Sequence, residues 1–218
     1  SIIEQITPAT KLIYIANPNN PTGTYITKGE IVNLMESIPK NIIVVIDGAY
    51  AEYVQLEDYD NGFSLVKKYE NIIITRTFSK VYGLAGIRLG WCYASLKVVS
   101  ILNKVKGPFN TNTFAQKLAL IAIDDQEHIK KVVNKNKINK EWFESELKRL
   151  NIKALKSHAN FSFIESSEQK AQKIYESLLA NGIIVRKLMS YNLNNCLRIT
   201  IGTIEEMKQI IKILERVK

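Results

Sequence analysis

"NIIVVIDGAY", residues 41–50, is an apolar, β-branched run that stops at an aspartate. Isoleucine and valine are stiff at χ1 and favour strands, and an apolar run without polar alternation marks a strand buried on both faces. Such strands belong to the sheets of α/β proteins, whose two faces are covered by helices. Three more runs of the same kind lie outward from it: "KLIYIA" (11–16), "NIIITRT" (71–77) and "IRLGWCYA" (87–94). Between "KLIYIA" and "NIIVVID", Thr27 and Glu30 form a capping-box pattern ahead of Ile31, Leu34, Met35 and Ile38, which are spaced for one face of a helix. The rhythm is strand, helix, strand.

From about residue 112 the pattern turns helical and stays so to about 150. Beyond it come "NIKAL", "NFSFIE", a helix from about 168 to 180 stopped by Asn181 and Gly182, then "IIVRKL", "LRITIG" and a last helix. That helix carries its own capping box, Thr203 with Glu206, and the apolar stripe Ile204, Met207, Ile210, Ile211, Leu214 and Val217. Two domains follow from this: a larger α/β domain over 1–148 with a mostly parallel sheet flanked by helices, and a smaller C-terminal α+β domain over 149–218. The first strand begins only about ten residues into the chain, so the sheet expected of 1–148 is partial, with one uncovered edge.

Composition narrows the classes of function. The 218 residues are 46% hydrophobic, enough to bury real cores. The two cysteines, Cys92 and Cys196, lie far apart with no Cys/His cluster around them, which points away from a disulfide scaffold or a metal site and toward a reducing cytoplasm. No apolar run reaches the length of a membrane span. The net charge of +9 owes much to "KKVVNKNKINK" (130–140), whose helical spacing and lack of aromatics read as a solvated helix face, not a nucleic-acid surface.

In open α/β sheets ligands collect at the carboxyl ends of the strands, where loops converge. The loops after the first three runs are "NPNNPTG" (17–23), "DGAY" (47–50) and "TFSK" (77–80). Their polar residues Asn20, Asp47, Tyr50, Thr77, Ser79 and Lys80, with Arg88 further on, form a chemically coherent set. Asp47 ends an apolar run, so its carboxylate costs free energy unless it is paired. A pyridinium nitrogen would satisfy it and would stay protonated, making the ring an electron sink; an aspartate capping its own loop is the alternative. Lys80 is a candidate Schiff-base amine, although a lone lysine is ordinarily a surface residue. Thr77, Ser79 and Arg88 supply two hydroxyls and a guanidinium fork that suit a phosphate, and Gly83, Gly86 and Gly90 would let the loop turn tightly enough to bring Arg88 back to them. "NPNNPTG" is a turn on any reading, stiffened by prolines that allow a cis peptide bond. Arg198 interrupts the apolar "CLRITIG"; a buried guanidinium demands an anion, either a substrate carboxylate or an internal acid. Arg186 in "IIVRKL" raises the same question with less force.

"NPNNPTG", "DGAY" and "TFSKVYGLAGIRLGW", in this order and at these spacings, resemble the pyridoxal-phosphate-dependent aminotransferases of the aspartate aminotransferase fold type. "KVKGPFNTNTFAQ", "ANFSFIE", "GIIVRKL" and "LRITIGT" are most similar, within that fold type, to the histidinol-phosphate aminotransferases. The resemblance covers essentially the whole chain, which corresponds to about the carboxy-terminal two-thirds of such enzymes, without the family's N-terminal part. It implies pyridoxal 5'-phosphate as cofactor, histidinol phosphate and glutamate or 2-oxoglutarate as substrates, and a homodimer that completes the site. By the same resemblance, Lys80 would hold the cofactor covalently and shuttle a proton at the substrate Cα. Asp47 would pair with the ring nitrogen, Tyr50 and Asn20 with the ring oxygen, and Thr77, Ser79 and Arg88 with the phosphate. Arg198 would grip the substrate carboxylate, Arg186 the phosphate of histidinol phosphate, and Asn160 would neighbour the substrate. A related enzyme with another substrate, such as an aromatic aminotransferase or a threonine-phosphate decarboxylase, and an inactive fragment of the fold, are the alternatives.

Overall fold

The computed structural model describes residues 2–217. The chain divides into two compact units, one of residues 1–18 and 25–130, the other of 19–24 and 131–218.

The first unit is built on a four-stranded sheet of β1 (Leu12–Ala16), β2 (Ile43–Asp47), β3 (Ile72–Thr77) and β4 (Gly90–Ala94), in that spatial order. β1, β2 and β3 run parallel and in step, with Ala16 opposite Asp47 and Asp47 opposite Thr75. Their C-terminal ends therefore lie side by side. β4 is antiparallel to β3, pairing Gly90 with Thr77. Helix α1 (Lys28–Ser37) starts on the expected capping box: the Thr27 hydroxyl accepts the Glu30 N–H, and the Glu30 carboxylate accepts the Thr27 N–H. It buries Ile31, Leu34 and Met35, and with α2 (Phe63–Lys68) it covers a core of Ile13, Ile15, Val44, Ile46, Ile72 and Ile74. Helices α3 (Leu96–Val105) and α4 (Thr113–Asp124) complete the unit, and no helix among the described residues is long and apolar enough to cross a membrane.

Burial on both faces holds for β2, whose Val44, Val45 and Ile46 are all buried, but not for the sheet's outer strands. On β1 only Ile13 and Ile15 are buried, while Leu12 and Tyr14 face outward at 46% and 72% exposure. An uninterrupted apolar run thus forms an alternating strand here, because in this chain only one of its faces is packed. On α3 and α4, likewise, Leu96, Val105, Phe114, Leu120 and Ile121 are exposed.

The second unit carries β5 (Lys153–Leu155), β6 (Phe161–Glu165), β7 (Arg186–Leu188) and β8 (Leu193–Thr200), all antiparallel, in the order β5-β6-β8-β7. Helices α6 (Glu168–Ala180) and α7 (Ile204–Leu214) bury Ile174, Leu178, Met207, Ile210 and Ile211 with Phe143 and Leu147 of α5 (Gln126–Arg149). That is why the units part inside α5, at 130/131, and not at 148/149: most of this helix supplies core to the second unit. The lysine-rich stretch of α5 is solvated at Lys130, Lys131, Lys135 and Lys137, as its composition predicts, but Lys140 is buried.

Candidate active site

In the first unit the strand ends place five of the expected residues, Asp47, Tyr50, Thr77, Ser79 and Lys80. Asp47 closes β2, and its Oδ1 accepts the Ala49 N–H at 3.0 Å, so the carboxylate does cap its own loop, with one oxygen outside that bond. Tyr50 is buried, and its ring lies 5.4 Å from the Nζ of Lys80. Thr77 closes β3, and its hydroxyl accepts the Ser79 N–H at 3.1 Å. Lys80 is half-buried between Phe78 and Val81, both buried, which pin the turn while leaving the amine at its rim. Backbone bonds from Leu84 to the Phe78 carbonyl and from Gly83 to the Lys80 carbonyl, both 2.9 Å, close that turn, with Gly83 at φ +69° where a side chain would be strained.

The return of the chain toward the hydroxyls is made by the backbone: the Phe78 N–H donates to the Leu89 carbonyl at 3.2 Å. Gly90 permits it, since a Cβ there would come within 2.7 Å of the Arg76 carbonyl, whereas Gly86 has ordinary φ and open space. The Arg88 guanidinium is exposed and donates to the Ala85 carbonyl at 2.9 Å, so it bonds to its own turn and not to Thr77 or Ser79. Arg88 itself takes the left-handed conformation, φ 54°.

Two residues that the motifs did not single out hold these loops. Arg76, buried in β3, donates to the carbonyls of Thr75 and Asn61 and lies 3.7 Å from the Glu52 carboxylate. Burial pushes the Glu52 carboxyl up, against the pull of Arg76. Gly48 is glycine because the guanidinium fills the space of its side chain: a Cβ would lie 1.7 Å from Arg76 Nη1. The signal was in the sequence, a charged residue inside an apolar run, as at Arg198. Asn17, fully buried, joins both ends of the turn that leaves the unit: its side chain exchanges hydrogen bonds with the Ile26 N–H (2.9 Å) and carbonyl (3.0 Å), and its N–H donates to the Asp47 carbonyl (2.9 Å).

The second unit holds the remaining candidates. Residues 19–24 form a tight turn closed by Asn19 N–H to the Thr24 carbonyl (2.7 Å) and Gly23 N–H to the Asn19 carbonyl (2.8 Å). Two peptide bonds are cis here, Asn17-Pro18 and Asn20-Pro21, where the sequence reading allowed for one. The Asn20 Oδ1 accepts from Arg198 Nη1 at 2.5 Å. A guanidinium only donates, so the amide turns its oxygen to Arg198 and leaves its NH2 as the available group. Arg198 is half-buried in β8, packs its guanidinium 5.0 Å over the Phe161 ring, and has a buried Nε without a hydrogen-bond partner. Arg186 stands directly opposite Arg198 in the β7–β8 pair, so the two cations share one face of the sheet. Like charges so placed repel unless an anion lies with them. Asn160, just before β6, accepts the Ile201 N–H through its carbonyl at 2.9 Å, a bond that does not draw its side chain to this pair.

A lysine and an aspartate at the C-terminal ends of neighbouring strands, on a sheet of this order, define the class: the fold is that of the pyridoxal-phosphate-dependent transferases of the aspartate aminotransferase type. The chain belongs to the aminotransferase class I and II family, whose model matches residues 1–214. Among curated relatives, histidinol-phosphate aminotransferase 2 of Haemophilus influenzae (strain 86-028NP) is 43% identical over 208 residues, 95% of this chain and 57% of that protein. Histidinol-phosphate aminotransferase of Zymomonas mobilis subsp. mobilis is 39% identical over 218 residues, 98% of this chain and 59% of that protein. Among solved structures, histidinol-phosphate aminotransferase of Sinorhizobium meliloti, in complex with pyridoxal-5'-phosphate, superposes with a TM-score of 0.86 at 27% identity, covering 95% of this chain and 58% of that one. The chain thus spans a little under three-fifths of these proteins.

Proposed function

We propose that the protein is an aminotransferase that uses pyridoxal 5'-phosphate to move an amino group between histidinol phosphate, or its keto counterpart, and glutamate or 2-oxoglutarate, in histidine biosynthesis. The observation that carries this reading is Lys80, a half-buried amine at the rim of a strand-end turn 5.4 Å from the Tyr50 ring, with Asp47 closing the adjacent strand. The chain's residues fit the cofactor: an amine for its aldehyde, a carboxylate for its ring nitrogen, hydroxyls at Thr77 and Ser79 for its phosphate, and an amide and a phenol for its ring oxygen. When bound, the cofactor supplies an electron sink for the carbanion at the substrate Cα.

The residues then divide the work. Asp47 keeps a proton on the ring nitrogen. Asn20, its oxygen held by Arg198, donates through Nδ2 to the ring oxygen, with the Tyr50 hydroxyl as second donor. The Lys80 amine would take the proton from the substrate Cα and return it to the cofactor's former aldehyde carbon, two bonds away across the amino nitrogen, as general base and then acid. Arg198, with its unpartnered Nε, receives a carboxylate in a fork, and Arg186 across the strand pair receives the phosphate of histidinol phosphate. Thr77, Ser79 and Arg88 hold the cofactor phosphate, for which the Arg88 guanidinium leaves its bond to Ala85. Asn160 lines the substrate. The reading also takes the protein as a cytoplasmic homodimer, checked by its sedimentation mass.

The test is the absorbance of the complete protein mixed with pyridoxal phosphate. A Schiff-base band that is bleached by glutamate and missing in Lys80→Ala is expected. A wild-type protein that binds the cofactor without such a band overturns the reading, and release of carbon dioxide with little amino transfer would assign a decarboxylase instead.

A further inference from the structure

Lys140 departs from its surroundings. The lysines around it on α5 are solvated, yet Lys140 is only 9% exposed, and burial pulls its ammonium below the usual lysine range against the field of Glu144 one turn on. A buried ammonium costs free energy unless its hydrogens find acceptors. The acceptors here are two backbone carbonyls, Ser157 at 2.5 Å and Ala159 at 3.2 Å, with the Asn136 amide also donating to Ala159 at 3.4 Å. Between those carbonyls the Ser157 hydroxyl accepts the Ala159 N–H at 3.2 Å, which makes 157–159 a short, fully engaged bend.

The bend's third polar group points elsewhere. The His158 N–H donates to the Gly23 carbonyl at 2.7 Å, and Ser157 presses so closely on Gly23 that a Cβ there would meet its Oγ at 2.2 Å. Gly23, at φ +75°, in turn donates its N–H to the Asn19 carbonyl, closing the turn that displays Asn20 to Arg198. All of these residues belong to the second compact unit.

We propose that Lys140 is a positioning residue for this site: by drawing the Ser157 and Ala159 carbonyls to one ammonium, it fixes the bend that holds the Gly23 carbonyl, and through it the placement of the Asn20 amide. The proposal rests on the reading of Asn20 as the ring-oxygen donor. A lysine with only a space-filling role would be replaced without loss by methionine, which has similar length and no donors. A lysine that gathers carbonyls would not.

The experiment uses the complete, cofactor-loaded protein and three variants, Lys140→Met, Lys140→Arg and Asn20→Ala. In Lys140→Met, amide hydrogen exchange at His158 and Gly23 is expected to speed up, and KM for the amino-acid substrate to rise about tenfold, the weight of one charged hydrogen bond, while kcat changes less. Lys140→Arg, which keeps donors and charge, is expected to restore both. Unchanged exchange and KM in Lys140→Met, alongside a clear effect of Asn20→Ala, overturns the proposal and leaves the functional reading standing. If Asn20→Ala moves neither KM nor the cofactor spectrum, the functional reading of Asn20 fails, and the proposal with it. Should the methionine variant not fold, Lys140→Leu, which likewise removes every donor, is read the same way, with unchanged exchange and KM again counting against the proposal.

Discussion

Arg76 shows what a single buried charge does beneath a loop. Its guanidinium occupies the space left by Gly48, satisfies the Thr75 and Asn61 carbonyls, and faces Glu52, whose side chain is itself only 18% exposed. Removing one partner of such a pair strands the other in a poorly solvated place. Arg76→Met is therefore expected to destabilise the fold by about 3 kcal/mol, read as a lowered urea midpoint, and adding Glu52→Gln should recover part of the loss; an unchanged midpoint would refute the pairing. Arg76 went unread because it is one charge in "NIIITRT", between two threonines that fit the strand pattern equally well. Arg198 was read from the same kind of signal because it is flanked directly by the apolar Leu197 and Ile199. What neither sequence context could give was the partner: Gly48 for one, Asn20 for the other, both remote in the chain.

Helix starts were the most legible elements, because a cap is decided within four residues. Both predicted capping boxes, Thr27 with Glu30 and Thr203 with Glu206, are formed with both reciprocal bonds. Thr27→Ala should cost about 1 kcal/mol, seen as a lower thermal midpoint with the far-ultraviolet spectrum preserved, and Thr27→Ser should cost much less. Strand faces were less legible. "KLIYIA" and "NIIVVID" look alike, but the first is exposed at Leu12 and Tyr14 and the second is buried through Val44, Val45 and Ile46. The difference lies in the position each strand takes in the sheet, β1 at the end of the order and β2 inside it, which no local pattern encodes. The antiparallel course of β4 is of the same kind: the connection from Thr77 to Gly90 carries only a 3-10 turn, Ala85–Ile87, and no α-helix of the sort that makes the crossover to a parallel neighbour.

At the scale of the molecule, each unit has its own apolar core, and buried hydroxyls in the first unit tie its stability to alkaline pH. Burial, more than any neighbouring charge, pushes Tyr53 and Tyr59 each to about 12, whereas a tyrosine in an unfolded chain titrates at about 10. Between those values the folded state keeps protons that the unfolded state has lost, so stability is full below the lower value and falls as pH rises toward the upper. The urea midpoint should accordingly drop between pH 10 and 12, on the order of the window set by these two values, and Tyr59→Phe should flatten the decline; a midpoint constant across that range would sink the assignment. The second unit's outline was legible, its membership was not: nothing in "NPNNPTG" says that residues 19–24 are counted with a body that otherwise begins over a hundred residues later. That membership bears on how the molecule can be dissected. A polypeptide cut at 130/131 would carry every strand of the C-terminal sheet and still be incomplete, since the His158 N–H would lose the Gly23 carbonyl and Arg198 would lose Asn20. A faithful excised C-terminal piece needs that hexapeptide supplied as well, by a grafted loop or as a separate peptide.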